Sequence, residues 1–475
     1  MQLSHSLRAT STVFDDPNLV SSAGLVPLLA LADRAGLREL ADEHLSVPTD
    51  KGANAGLKVA SLVAGMVAGA DSIDDMALLR HGAMSRLFAH AYAPSTLGSF
   101  LRAFTFGHIR QLDAVASRFL IALTGVTGLF GSASSDPQGE PASYALLDVD
   151  DTVVEVHGHA KQGAGFGYNR VRGLNALLAT LTTTTSGPVI VAQRLRKGAA
   201  NSSRGAKRLV GDAAKTARRL LGPTTPILVR MDSAFYGRGP VHAARAGGAA
   251  VSVTVRMNTQ IRAAIAAIGQ DAWTTIEYTD AVYDEQAGRW ISRAEVAEVD
   301  FTAFAAQKKT EQVPGRLVVR RIPDFNADKH KANGQDSLFD VWRFHAFFTT
   351  ADPDLLDTIA ADKAHRGHAI IEQVHADLKN SALAHLPSGV FTANAAWLVL
   401  AVIAFNLTRA AGSLATPDLA RATTATVRRK LVLLPCRVAT SARRITMHLP
   451  RDWPWETAWT QLITRIADPP TTRAA

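Results

Sequence analysis

Hydrophobic and polar positions change their spacing several times along this chain of 475 residues. From about Val20 to Leu123, apolar residues recur every three or four positions, which predicts a series of helices with a break at Gly36. The segment GSASSDPQGEPAS that follows is rich in Ser, Gly and Pro and predicts a linker. The residues before the linker are therefore expected to form an all-helical domain.

Beyond the linker, short apolar runs alternate with helical patterns. YALLDVDDTVVEVHG, PILVRMDSAF and AAVSVTVRM predict strands, and GDAAKTARRLL predicts a helix between the first two. Strands that alternate with helices indicate an α/β class with a mixed sheet. From about Trp273 to Thr350, β-branched and aromatic residues alternate with polar ones, which predicts a β-rich insertion in this core.

Helices return after the insertion. The longest apolar run, AAWLVLAVIAF, is too short to span a membrane and predicts a buried helix. These changes in pattern divide the chain into six parts. The predicted parts are a helical N-terminal domain (1–130), a linker (131–143), the first part of the core (144–268), the β-rich insertion (269–352), the last part of the core (353–415) and a C-terminal basic and helical region (416–475).

Charge and cysteine content narrow the function. The 51 Lys and Arg exceed the 42 Asp and Glu, which gives a formal charge of +9 and favours a polyanionic partner. A solvated basic surface is the alternative, but the basic residues are clustered. The single Cys436 excludes a disulfide framework, and the N-terminus lacks the pattern of a secretory signal, so a cytoplasmic protein is expected. The main cluster contains Arg194, Arg196, Lys197, Arg204, Lys207 and Arg208.

Three acids stand where charge is unusual or well placed for chemistry. Asp150 lies within a predicted buried strand, Asp232 ends another, and Glu372 lies in a predicted helix. Buried carboxylates need a partner charge or a metal ion, and oxygen ligands suit Mg²⁺ or Mn²⁺. Two such ions stabilise the attacking and leaving oxygens of a phosphodiester displacement. From spacing alone a structural role is the better interpretation of each acid taken singly, since Asp232 is also a good helix cap and Glu372 an ordinary surface acid.

Longer motifs carry a resemblance. LLDVDDTVVEVHG, PILVRMDSAFYG and HRGHAIIEQVHADLKN occur in the order found in bacterial insertion-sequence transposases of the DDE class. Over nearly its whole length the chain resembles the thirteen-eighty family of the broader IS-four-like group. The resemblance implies a ribonuclease-H-like mixed-sheet core preceded by an all-helical domain that binds DNA ends. It also implies that Asp150, Asp232 and Glu372 bind two Mg²⁺ or Mn²⁺ ions and are the catalytic acids.

The first acid has a competitor in its own strand. The wider group places its Asp two residues before a Thr, which selects Asp150 ahead of Thr152. Asp148 lies on the same strand face and is an alternative or an assistant, whereas Asp151 faces the other way. The sequence favours Asp150 and leaves Asp148 open.

The third motif departs from the wider group, in which Tyr, Arg, Glu and Lys line one helix face. His365 and His368 take the Tyr and Arg places, while Glu372 and Lys379 fit. A hydrogen-bonded structural role is the alternative for both histidines. Arg366 is expected to compensate for the missing arginine. The residues expected to contact DNA are Lys379, Arg366, His368, Trp290, Arg170 and Arg172.

The resemblance also implies an activity and its partners. Such enzymes are endonucleases that cut double-stranded DNA at the terminal inverted repeats and join the ends to target DNA, as a homodimer in the synaptic complex. No membrane partner is expected. A catalytically inactive, domesticated DNA-binding protein is the alternative. No GxxxxGK[ST] motif occurs, which argues against a P-loop nucleotidase.

Overall fold

A computed structural model describes residues 1–2, 4–48, 50–130, 143–167, 169–284, 289–323 and 342–467. Most of the predicted linker, residues 131–142, lies outside this part of the chain. The strands of the larger sheet are β2 to β11, and β1, β12 and β13 form a smaller one. The bounds are β1 Leu19–Val20, β2 Ala145–Glu155, β3 Gly165–Phe166, β4 Arg172–Thr182, β5 Val189–Lys197, β6 Ile227–Met231, β7 Ala250–Thr254, β8 Thr274–Asp284, β9 Arg289–Ala303, β10 Val313–Pro323, β11 Trp342–Thr349, β12 Cys436–Ser441 and β13 Arg444–His448.

Helices precede, cover and follow the larger sheet. Those before it are α1 Leu25–Arg34, α2 Leu37–His44, α3 Ala55–Ala68, α4 Met84–Leu87, α5 Pro94–Arg102 and α6 Phe106–Thr127. Those within the core are α7 Ala206–Leu221, α8 Arg238–Ala246, α9 Thr259–Ala266, α10 Thr358–Arg366, α11 Ile370–Lys379 and α12 Phe391–Ala415. Three more follow, α13 Pro417–Ala420, α14 Thr424–Val427 and α15 Glu456–Ala467.

The larger sheet is mixed, as the sequence predicts. Its strand order is β5-β4-β2-β6-β7-β11-β10-β9-β8, with the short β3 also paired to β4. The strands β2, β6 and β7 are parallel to one another, β4 pairs antiparallel with β2, and β5 pairs antiparallel with β4 and so runs in the same direction as β2. This arrangement is consistent with a ribonuclease-H-like core. The antiparallel strands β8 to β11 extend the sheet beyond β7, within the predicted insertion.

The two faces of β2 enter different hydrophobic cores because side chains alternate along a strand. Leu147 and Val149 pack with α7 and α8 on one face. Val154 packs on the other face, with α12 and the N-terminal helices. Asp148 and Asp150 share the face of Val154, so the two acids lie on the side of the sheet that α11 and α12 cover.

The helix α12 organises that second core. It is long and apolar enough to cross a membrane, but 94% of its apolar window is buried inside the protein, as predicted for its central run. It packs against α3, α5 and α6 and also against β5 and α15. The N-terminal helices therefore share one continuous hydrophobic core with the C-terminal elements. The short strand β1 joins the same region by pairing with β12, so the N-terminal region contains a strand as well as helices.

Asn406 of α12 forms hydrogen bonds with the edge strand β5. Strand β5 has a register shift at Ile190, where its pairing with β4 is irregular. The Asn406 amide replaces the missing partner, since the Ile190 N–H donates to its Oδ1 at 2.9 Å and its Nδ2 donates to the Ile190 carbonyl at 2.8 Å. Asn406 is 2% exposed, so both backbone groups are satisfied away from water.

This contact gives a stability prediction. Asn406→Ala removes both hydrogen bonds and leaves the buried N–H and carbonyl of Ile190 without partners, which should lower the free energy of unfolding by about 2 to 4 kcal/mol. Urea unfolding followed by circular dichroism measures the change. The control is Ser413→Ala on the same helix, where the half-buried hydroxyl bonds only to the Ala410 carbonyl, and the expected cost is about 0.5 kcal/mol. Equal effects in both variants would contradict the assignment.

Candidate active site

The parallel pairing of β2 with β6 places acids side by side. Asp148 lies opposite Arg230, and Val149 lies opposite Met231. The next step in this register brings Asp150 beside Asp232, which follows the last residue of β6. Two neighbouring parallel strands therefore each present an aspartate at the same level of the sheet.

Asp148 is fully buried and fully engaged. Arg230 binds it with two hydrogen bonds, Nε to Oδ1 and Nη2 to Oδ2, both 2.7 Å long. His368 adds a contact of 2.9 Å between its Nδ1 and Oδ1. Because the arginine takes both carboxylate oxygens, Asp148 has the geometry of a buried ion pair. This geometry favours Asp150 over Asp148 as the metal ligand of the strand.

Arg230 also fixes the polypeptide that carries His368. Its Nη1 donates to the Ala364 carbonyl near the end of α10. At Gly367 a Cβ atom would lie 2.8 Å from Arg230 Nη1, so any larger residue there would require this guanidinium to shift. A short 3₁₀ turn, Gly367–Ala369, separates α10 from α11. The continuous helix face expected for residues 365 to 379 is thus broken, and His365 belongs to a different helix from Glu372.

Asp151 points to the opposite face, as its position in the strand predicts. It is buried and pairs with Arg196, and the Nδ2 of Asn175 donates to its Oδ2 at 2.6 Å. Arg196 therefore turns inward instead of contributing to a basic surface. The three aspartates of β2 consequently have different environments, because Asp148 and Asp151 form salt bridges with arginines and Asp150 forms none with an arginine among the described residues.

Asp150 is the least compensated of the three. About 22% of its side chain is exposed, and its Oδ2 lies 3.7 Å from His375 Nδ1. Burial raises the pKa of the Asp150 carboxyl to about 7, and the neighbouring charge of Asp232 adds to this rise. The Asp151 backbone N–H and His368 oppose the rise only in part.

Asp232 has two roles in the structure. Its Oδ1 accepts a hydrogen bond from the Ala234 N–H at 2.9 Å, so it caps the 3₁₀ turn Ser233–Phe235 as one interpretation of the sequence expects. Burial nevertheless raises the pKa of its carboxyl above the usual value. His368 lowers the pKa of Asp232, as it lowers that of Asp150, so its imidazole is near enough to interact with both carboxylates.

The third acid lies on the helix above. Glu372 is exposed in the first turn of α11, which packs against β2. His375, one turn later on the same helix, contacts Asp150. In the described part of the chain no three His, Cys, Asp or Glu side chains converge closely enough to hold a metal ion together. The structure thus joins Asp150 with Asp232 and leaves Glu372 on the adjoining helix.

His365 has a hydrogen-bonded environment inside the protein. Its two ring nitrogens lie 2.8 Å from Ser252 Oγ and 2.9 Å from Thr254 Oγ1, both on β7. The ring stacks on Phe347 with 4.1 Å between centroids. Burial lowers its pKa to about 3, so the imidazole is neutral near pH 7. These contacts match the structural alternative.

The cations expected near DNA have varied surroundings. Arg366 forms an ion pair with Asp362 at 2.8 Å, one turn earlier on α10. Lys379 is half-buried at the end of α11, and burial lowers its pKa. The helix that carries Lys379 packs against β2, the strand of Asp150, whereas the helix that carries Arg366 packs against β9 and β10.

The remaining expected contacts lie on a loop and in the insertion. Arg170 is exposed with a positive φ of 60° in the loop that connects β3 with β4. The guanidinium of Arg172 donates to the carbonyls of Val156 and Gly158, which holds the loop between β2 and β3 in place. Trp290 belongs to β9, but its side chain lies outside the described residues.

The donor set of the two aspartates suits a divalent cation. Neither Asp150 nor Asp232 forms a salt bridge with an arginine or lysine among the described residues. Two partly buried carboxylates that repel each other are stabilised by a cation, and carboxylate oxygens are the ligands that Mg²⁺ and Mn²⁺ prefer. The residues therefore fit such an ion, with Glu372 as the acid positioned on the nearest helix.

Sequence reasoning missed Arg230 as part of this site. Its signal was present, because an arginine inside the apolar strand ILVRM needs a buried acid as a partner. That partner is Asp148, on the neighbouring strand. His375 was not among the predicted site residues, and the structure places its Nδ1 3.7 Å from Asp150 Oδ2.

A ribonuclease-H-like sheet that carries two adjacent aspartates on its central parallel strands is the arrangement of DDE-type polynucleotidyl transferases. The family Transposase DDE domain group 1 matches residues 5–471, and the chain belongs to this family. The predicted membership of the DDE transposases is thereby confirmed. No curated protein matches the chain significantly. The family implies DNA as the partner, and its members generally use divalent metals such as Mg²⁺.

The raised pKa of Asp150 predicts a dependence of stability on pH. In the metal-free protein, the folded state keeps this carboxyl protonated between about pH 4 and pH 7, whereas the unfolded chain does not. Stability is therefore lost as the pH rises through this window. Asp150→Asn removes the loss, so it should raise the free energy of unfolding by on the order of 2 to 4 kcal/mol at about pH 8 and change it little at about pH 4.

Urea unfolding in a chelator at both pH values measures this effect. Asp148→Asn is the matched control in the same strand, because it removes one charge of a buried pair and should destabilise the protein at about pH 8. An Asp150→Asn variant that is less stable than the wild type at about pH 8 would contradict the prediction.

Proposed function

We propose that this protein is the transposase of a bacterial insertion sequence of the thirteen-eighty type. It cuts double-stranded DNA at the terminal inverted repeats of its element and joins the ends to target DNA by metal-dependent phosphoryl transfer. The observation that carries the proposal is the pair formed by Asp150 and Asp232, which adjoin on parallel strands and form no salt bridge with an arginine or lysine in the described part of the chain. Membership of the transposase family supports DNA as the substrate.

In this proposal Asp150, Asp232 and Glu372 are the metal ligands and the catalytic acids. Two bound Mg²⁺ or Mn²⁺ ions supply Lewis acidity to the oxygens that attack and leave the phosphorus atom. For Glu372 to act as the third ligand, its exposed side chain has to turn toward the aspartates. This is a local movement, because Glu372 lies on α11 one turn from His375, which contacts Asp150.

The surrounding residues orient the DNA backbone. His368 is held by Asp148 through its Nδ1, so its other ring nitrogen is available for a phosphate oxygen or a water molecule. Lys379 and Arg366 contribute positive charge on the same side of the sheet, and Arg170 extends it on the adjoining loop. Arg172 holds the loop between β2 and β3 through the Gly158 carbonyl, and we assign Arg172 and Trp290 of the insertion to the DNA contacts as well.

The wider organisation follows from the same reaction. The helical residues 1–130 bind the DNA ends, and two copies of the chain form a homodimer that synapses them. The rest of the chain is divided as predicted. The parts are the linker (131–143), the first part of the core (144–268), the insertion (269–352), the last part of the core (353–415) and the C-terminal region (416–475). The protein is expected to act in the bacterial cytoplasm on nucleoid DNA.

Cleavage of the element's own end DNA in Mg²⁺ or Mn²⁺ tests this proposal. Asp150→Asn, Asp232→Asn and Glu372→Gln should each lower the single-turnover cleavage rate by about 1,000-fold or more, because each removes a carboxylate that stabilises charge in the transition state. A labelled target duplex in the same reaction reports strand transfer.

Two controls sharpen the test. Asp151→Asn changes an acid of the same strand that faces away from the site, so the folded variant should keep wild-type-like cleavage. The variants should also bind end DNA, which separates loss of chemistry from loss of binding. Full activity in Asp232→Asn would reject the mechanism, and DNA binding without any metal-dependent cleavage by the wild type would favour the inactive, domesticated alternative.

A further inference from the structure

A cleft lies at the outer edge of the sheet, away from the two aspartates. Its floor is the edge strand β5, and its walls are α6 of the N-terminal region and α7 of the core. The cleft has a volume of about 250 Å³. Strand β5 is separated from β2 by β4, so the cleft is a different place from the candidate active site.

An ion network is built into the cleft. Arg194 of β5 lies at its centre and binds Asp113 of α6 at 2.9 Å as well as Asp212 of α7. Arg110 binds Asp113 at 2.9 Å and lies 3.6 Å from Asp212. Gln193 also donates to Asp113, at 2.8 Å. The two acids of the cleft are therefore neutralised by two arginines, and the network connects both walls to the floor.

Three further cations line the cleft without any acid of their own. Lys215 and Arg219 are exposed on α7 and have no hydrogen bond or salt bridge to another residue in the part of the chain that the structure describes. Arg118 of α6 donates only to the carbonyl of Ala114 in its own helix. Since the acids are already paired, these three side chains give the cleft a surplus of positive charge.

We propose that this cleft is a second DNA-binding site, which holds backbone phosphates of double-stranded DNA through Arg118, Lys215 and Arg219. The proposal rests on the proposed function for the identity of the polyanion. It assigns no base recognition to the cleft, because the three side chains are cations and cations in this setting contact phosphate irrespective of sequence. DNA bound here joins the N-terminal region to the core.

The distribution of the charges fits a polymer backbone better than a single small anion. Lys215 and Arg219 are one helical turn apart on α7, which separates their Cβ atoms by about 6 Å. Arg118 lies on the opposite wall. The surplus charge is thus spread along and across the cleft, as phosphates are spread along DNA. Because Arg194 pairs with Asp113 and Asp212, these two acids do not repel the phosphates.

Salt-dependent binding of a duplex of arbitrary sequence, measured in a chelator, tests the site without any cleavage. The triple variant Arg118→Gln, Lys215→Gln, Arg219→Gln should reduce the slope of log affinity against log salt concentration by about 2 to 3, since each phosphate contact contributes about 0.9. The matched control is Arg245→Gln, Lys308→Gln, Lys309→Gln, which removes three exposed cations that do not line the cleft. The control should keep the wild-type slope.

A second measurement uses the unaltered protein. Acetylation of Lys215 by a lysine-specific reagent, followed by mass spectrometry, should be at least about fivefold slower when the duplex is bound, while acetylation of Lys309 should not change. Equal slopes for the triple variant and the wild type, together with unprotected Lys215, would overturn the proposal. So would protection of Lys215 by inorganic phosphate but not by the duplex. Both measurements are made in a chelator, without metal. A negative result in them would therefore reject the second DNA-binding site and would not bear on metal-dependent cleavage by Asp150 and Asp232.

Discussion

The pair of hydrogen bonds between Arg230 and Asp148 is the interaction on which the candidate site depends. It lies between two parallel central strands and is almost completely buried, with Arg230 1% and Asp148 0% exposed. A single charge at that depth would be strongly destabilising, whereas the paired charges satisfy each other. The same arginine reaches α10, and the same carboxylate holds His368, so the pair fixes the strand register and the turn before α11 together.

This fixed register has an electrostatic consequence for the next two residues. Asp150 and Asp232 are brought side by side in a partly buried position, where neither forms a salt bridge with an arginine or lysine among the residues that the structure describes. Burial and mutual repulsion both oppose their ionisation. The protein thus holds in place a pair of carboxylates that is less stable on its own than with a cation, which is how metal-binding sites commonly trade stability against function.

Periodicity predicted the elements better than their partners. The mixed sheet, the strands of the insertion and the buried helix α12 follow from spacing, because each repeats a local pattern over many residues. Alternation also placed Asp151 on the face opposite Asp150. Alternation along a strand does not show which residues from distant parts of the sequence come into contact. The arginine partners of Asp148 and Asp151 were therefore not predicted. The break between α10 and α11 at Gly367 was also missed, although a glycine inside a helical pattern is a local signal for such a break.

The pairing of β1 with β12 has a consequence for how the chain folds. Residues near opposite ends of the sequence form adjacent strands, and the N-terminal helices share a hydrophobic core with α12 and α15. Contacts between distant residues form slowly because a long loop must close first. The N-terminal helices can therefore complete their packing only once α12, β12 and α15 are present. During synthesis, part of their apolar surface stays uncovered until these C-terminal residues have been made.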